Sequence, residues 1–175
     1  MRRNLLKPLA SALALVAGVL TPVICHADWY MIGPRDFRPT TATTQLSFLS
    51  TGVRANASGY VYAKVDIPIG STLVEFYCHA YDASTVKDIN VNLFENTDDD
   101  FNSGGMRPIL ATNTSGSAGH VKVRASGPSG NAVIKYWDDP SGTGNFRYYT
   151  YYIEAMLDGT ASTGIKTCAI SYNPP

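Results

Sequence analysis

Apolar and polar residues alternate with a period of two through most of this chain, and no stretch carries the spacing of an amphipathic helix. The alternation is cleanest in 87–95, where Ile89, Val91 and Leu93 interleave with Asp88, Asn90 and Asn92. In 72–81, Val74, Phe76, Cys78 and Ala80 fall on one face and Glu75, Tyr77 and His79 on the other. In 164–172, Cys168, Ile170 and Tyr172 alternate with Thr167, Ala169 and Ser171. Such patterns belong to strands buried on one side. Further strands are predicted over 44–50, 59–67, 106–112, 119–125, 131–137 and 146–157. Gly and Pro clusters such as Pro68-Ile69-Gly70 and Gly104-Gly105 punctuate them. Eight or nine antiparallel strands make an all-β sandwich of jelly-roll type. An immunoglobulin-like sandwich is the alternative, and Trp137 does lie between Cys78 and Cys168, but that cysteine spacing is long for it.

The first 27 residues break this pattern and read as an export signal. Arg2, Arg3 and Lys7 precede an apolar run from Leu9 to Leu20, and Cys25-His26-Ala27 suits cleavage before Asp28. The run is too short for a membrane span. Arg2-Arg3-Asn4-Leu5-Leu6-Lys7 also resembles the core of a twin-arginine signal. Ile24 is too large beside Cys25 for a lipoprotein signal. The division expected is a signal peptide over 1–27, an extended lead-in over 28–43 and one β-sandwich domain over 44–175. The location expected is secreted or periplasmic, with no transmembrane segment.

Export decides what the cysteines mean. Cys25 leaves with the signal, so Cys78 and Cys168 remain and pair most simply with each other. Both fall on apolar strand faces. The bridge closes a loop worth about 4–5 kcal/mol as an upper figure in the chain-entropy model.

Charge removes one class of partner. The leader holds three of the 14 Lys and Arg and none of the 14 Asp and Glu, so residues 28–175 carry formal charge −3. Their cations are scattered singly, which argues against nucleic acid.

Three constellations remain. In Glu95-Asn96-Thr97-Asp98-Asp99-Asp100-Phe101-Asn102, the residues Asp98, Asp100 and Asn102 alternate as oxygen ligands of Ca²⁺ do. Yet Gly104 comes one place late and no Glu closes the loop, so a solvated turn fits as well. The run Arg147-Tyr148-Tyr149-Thr150-Tyr151-Tyr152 puts aromatics on both faces of one strand. Tyr149, Tyr151 and Ile153 would line the core. Tyr148 and Tyr152 would face out, with Tyr60, Tyr62 and Tyr77 on neighbouring strands. Exposed rings beside Asn and Asp suit a sugar, though tyrosines also stabilise sheets without any ligand. Catalytic arrangements are nearly absent. His79 and His120 are the only histidines after the leader, no G-x-S-x-G elbow exists, and no spacing selects a carboxylate pair.

These readings rank a non-enzymatic exported binding module for a glycan or a cell-surface partner first. A structural subunit of a surface assembly, with self-association, comes second, and a periplasmic hydrolase third.

Overall fold

The computed structural model describes residues 27–50, 52–99, 105–116, 119–127, 132–139, 142, 144, 147–159 and 162–175. The segment 1–27, expected to be an export signal, lies outside them apart from Ala27. Among the described residues no helix is long and apolar enough to cross a membrane.

Among the described residues twelve strands follow in chain order: β1 (Asp28–Ile32), β2 (Arg38–Pro39), β3 (Leu46–Leu49), β4 (Gly52–Ala55), β5 (Gly59–Val65), β6 (Thr72–Asp82), β7 (Asn90–Asp99), β8 (Met106–Asn113), β9 (Gly119–Ser126), β10 (Trp137–Asp138), β11 (Arg147–Leu157) and β12 (Thr163–Asn173). They form two antiparallel sheets. Sheet A runs β3-β4-β12-β6-β9, with β1 also paired to β12. Sheet B runs β2-β5-β11-β7-β8, with β10 also paired to β11. Eight principal strands, β4 to β9 with β11 and β12, can be renumbered one to eight along the chain. They then stand in the orders 1-8-3-6 and 2-7-4-5, which is the jelly-roll arrangement. The count exceeds the eight or nine expected because β2 and β10 have two residues each and the short β1 and β4 show no clean alternation, β1 reading Trp29-Tyr30-Met31-Ile32.

Alternation builds the core. Val61, Ala63 and Val65 of β5, Val91 and Leu93 of β7, and Tyr149, Tyr151, Ile153, Ala155 and Leu157 of β11 are all buried. They pack against Phe76, Cys78 and Ala80 of β6 and Ile165, Cys168 and Ile170 of β12. Cys78 and Cys168 are disulfide-bonded, directly opposite each other on adjacent strands, with Cα atoms 4.0 Å apart. The bond therefore lies within sheet A and faces the core, unlike the inter-sheet bridge of an immunoglobulin domain.

Four sequence expectations need correction. The lead-in 28–43 is not merely extended: β1 pairs along β12 from Asp28–Tyr172 to Ile32–Cys168, and β2 pairs with β5. Val74 is exposed and Leu73 is buried in its place. A register shift opposite Ser171 and Tyr172 gives β6 one extra residue there, which inverts the faces. The strand expected over 131–137 is not one strand in its described part. Residues Ala132 and Ile134 bond backbone to backbone with Leu73, Ser71 and Gly70 beside sheet A, and the chain then crosses to sheet B, where Trp137 pairs with Tyr148. Finally, β7 begins at Asn90 and runs on to Asp99, so Glu95 to Asp99 are strand where a turn was expected, and the rest of the acidic stretch lies outside the described residues.

Candidate functional site

The outward face of sheet B follows from the buried face. With Val61, Ala63 and Val65 inside, β5 presents Tyr60, Tyr62 and Lys64 to solvent. With Tyr149 to Leu157 inside, β11 presents Tyr148, Thr150, Tyr152, Glu154 and Met156. With Val91 and Leu93 inside, β7 presents Asn92, Phe94 and Asn96. Strand register sets these side by side: Tyr62, Glu154 and Asn92 form one cross-sheet row, and Lys64, Tyr152 and Phe94 the next. Phe94 and Tyr152 stack with ring centroids 5.5 Å apart and planes 23° apart. Tyr60 and Tyr62 keep 43% and 39% of their surface exposed, enough for a ring face to meet a ligand. A shallow depression of about 490 Å³ is lined by Thr40, Tyr62, Lys64, Asn96, Tyr152 and Glu154, among others.

The face is aromatic and nearly neutral. Lys64 is ion-paired with Asp66 at 2.7 Å, and Arg38 of β2, in register with Tyr62, is offset by Glu154 in the same row. Burial pushes the Glu154 carboxyl up from its ordinary range. Burial, and secondarily the Glu154 charge, pushes the Tyr152 phenol up as well. A carboxyl flanked by rings and amides can accept hydrogen bonds from hydroxyl groups, and the amides can give and accept them.

The structure thus brings Tyr60, Tyr62 and Tyr152 together. Tyr148 shares their face but stands four residues along β11, where its ring meets Tyr136 at 6.0 Å and its backbone faces Trp137. Tyr77 does not join them. It lies on the outer face of sheet A, where Trp29 contacts it edge-on at 5.5 Å. Periodicity assigned Tyr77 to an outward face correctly but could not say of which sheet. Phe94, Asn92 and Asn96 were missed as site residues, although the alternation over 87–95 already placed Asn92 outside; Asn96 was expected in a turn. Of the calcium ligands expected, Asp98 sits in β7 opposite Tyr148, and Asp100 and Asn102 lie outside the described residues. Among the described residues no three His, Cys, Asp or Glu side chains gather to hold a metal.

A second concavity, of about 720 Å³, opens between the sheets beside β8. Its wall holds two polar clusters. Glu95 is buried and ion-paired with Arg107 at 3.0 Å, and the Tyr151 hydroxyl, which accepts the Lys135 N–H at 3.0 Å, points to Glu95 at 3.4 Å. The Tyr149 hydroxyl donates to Asp138 at 2.6 Å, and Lys135 reaches the same carboxylate at 3.3 Å. That hydroxyl bond, opposed by burial, holds the Asp138 carboxyl below its usual range. Burial pushes the Tyr151 phenol up to about 12. These groups are largely engaged with one another, so the cluster reads as a polar brace for the tyrosine strand.

No family model matches the sequence, and no curated protein matches it. Among solved structures the chain is similar to a xylan-binding module CBM15, at 10% identity and a TM-score of 0.46, covering 85% of this chain and 99% of that one.

Proposed function

We propose that this protein is a non-catalytic glycan-binding module that acts outside the reducing cytosol and holds a neutral sugar chain on the outer face of sheet B. One observation carries the reading: Tyr60, Tyr62, Tyr152 and Phe94 share that face with Asn92, Asn96 and Glu154 in adjoining rows. Ring faces stack on the C–H faces of pyranoses, and amides and a carboxyl between the rings bond hydroxyl groups. Rings on neighbouring strands lie about 5 Å apart and outward residues along a strand about 7 Å apart, so a chain of several sugars is the natural ligand. The Cys78–Cys168 disulfide supports an oxidising compartment. Affinity electrophoresis through gels containing soluble β-glucan, galactomannan or arabinoxylan tests the proposal. At least one polymer retards the parent, and Tyr62→Ser with Tyr152→Ser abolishes the retardation while the fold persists by circular dichroism. A parent that no neutral polymer retards, or a double variant retarded as strongly as the parent, overturns it.

A second reading, a structural subunit of a surface assembly, draws on β3. This strand is an edge of sheet A, and Phe48 and Leu49 are about half exposed on it. Edges of that kind recruit further strands. Sedimentation at rising concentration distinguishes the two, since a subunit self-associates and a binding module remains monomeric.

A further inference from the structure

We infer that the outer face of sheet A is a second binding surface, built for an acidic polysaccharide. The inference does not rest on the reading of sheet B. On β6, Phe76, Cys78 and Ala80 point into the core, so Glu75, Tyr77, His79 and Tyr81 point out. Register places Arg124 beside Tyr77, Lys122 beside His79 and His120 beside Tyr81 on β9. Across β12, the small residues Ala169 and Ser171 leave room for Trp29 of β1 to reach Tyr77 at 5.5 Å. Arg54 of β4 extends past Gly164, where a Cβ would meet its stem, and lies over the Tyr81 ring at 4.9 Å. The face is therefore a sheet of rings interleaved with cations.

Its charge is one-sided. Arg54, Lys122 and Arg124 face out, and Glu75 is the one carboxylate among the described residues there, ion-paired with Arg124. Lys122 sits 3.9 Å from the Tyr77 ring centroid, a cation resting on an aromatic face. An arriving carboxylate can draw such an ammonium off the ring with little rearrangement. Sheet B differs: its outward aromatic face carries Arg38 beside Tyr62, Lys64, already paired, and Glu154, so its charges nearly balance. Rings that stack on pyranoses, set among cations that pair with uronate carboxylates, define a polymer with both features. A face four strands wide, about 14 Å from first to last, suits an extended chain better than a single small anion.

Alginate, a soluble polyuronate, is the probe, used in affinity electrophoresis and titration calorimetry at low and high salt. The parent is expected to bind, and 0.5 M NaCl to weaken the binding strongly. Lys122→Glu and Trp29→Ala, both at exposed positions, should each weaken it about tenfold, a change readily resolved by calorimetry. Tyr62→Ser with Tyr152→Ser, which addresses sheet B, should leave alginate binding unchanged, and Lys122→Glu should leave binding of neutral polymers unchanged. Absence of alginate binding, insensitivity to Lys122→Glu and Trp29→Ala, loss in the sheet B variant, or equal affinity for duplex DNA each overturns the inference. The last result would mark a general polyanion patch.

Discussion

Phe94 and Tyr152 stack across β7 and β11, in the middle of a sheet face open to solvent. Neither ring belongs to the core, so their contact and their availability to a ligand can be separated. Phe94→Ala and Tyr152→Ala should each cost about 1 kcal/mol, with a coupling of about 0.5–1 kcal/mol in a double-mutant cycle. Urea unfolding of the four proteins measures it. A cycle that closes with no coupling would show that the rings do not support one another, and the aromatic row would lose its pre-set geometry.

The disulfide joins residues separated by 90 positions, and both of its residues are fully buried. Replacing both cysteines with alanine should lower stability by about 2–5 kcal/mol, with most of the loss arising in the unfolded chain. Denaturant unfolding of the oxidised parent against the variant reads the loss. The parent should show no thiol to alkylating reagent in denaturant until it is reduced. Two reactive thiols in the unreduced sample contradict the bond.

Tyr151 gives an alkaline prediction. Its hydroxyl accepts the Lys135 N–H, so Tyr151→Phe should cost about 1–3 kcal/mol at neutral pH by leaving that donor unpaired. The native phenol ionises at about 12, above its ordinary value, because burial disfavours the phenolate. The native state therefore holds this proton more tightly than the unfolded chain. The stability linked to it is complete below about pH 10 and is lost as pH rises towards 12. The gap between parent and variant should close over that window. A gap constant up to pH 12 would place the hydroxyl in water.

Glu154 gives an acid prediction of the same sign. Burial raises its native carboxyl pKa above the unfolded value, so the native state favours the protonated form. Stability linked to this group is complete below the ordinary carboxyl range and declines as pH rises through the native value. Glu154→Gln, which cannot ionise, should melt above the parent at pH 7 and together with it at pH 3. Melting temperatures across that range test this, and an advantage confined to acid pH would reverse the sign.

How far the sequence reveals this molecule depends on which relation a residue obeys. The inside and outside of β11 follow from neighbours in sequence, so Tyr149 and Tyr151 could be assigned to the core and Tyr148 and Tyr152 to the surface from the alternation alone. Tyr77 obeys the same local rule, but its membership of sheet A depends on pairing β6 with β9 and β12, which no local pattern encodes. Val74 fails for a third reason. One inserted residue opposite Ser171 and Tyr172 inverts the faces, and a bulge is a property of two strands together. The segment around Ile134 bonds first to β6 and then leads to β11, and alternation has no signature for a change of sheet. The jelly-roll class was legible, and the sharing of rings between two outer faces was not.

The bond between Cys78 and Cys168 also turns most of the protein into a closed loop of chain, from β6 round through β7, β8, β9, β10 and β11 to β12. A protease that cuts once anywhere between the two cysteines opens this ring without dividing the molecule. Both pieces remain one covalent body, and sheet-to-sheet packing keeps them in register. In a setting rich in proteases, a single nick would not detach either of the outer faces from the other.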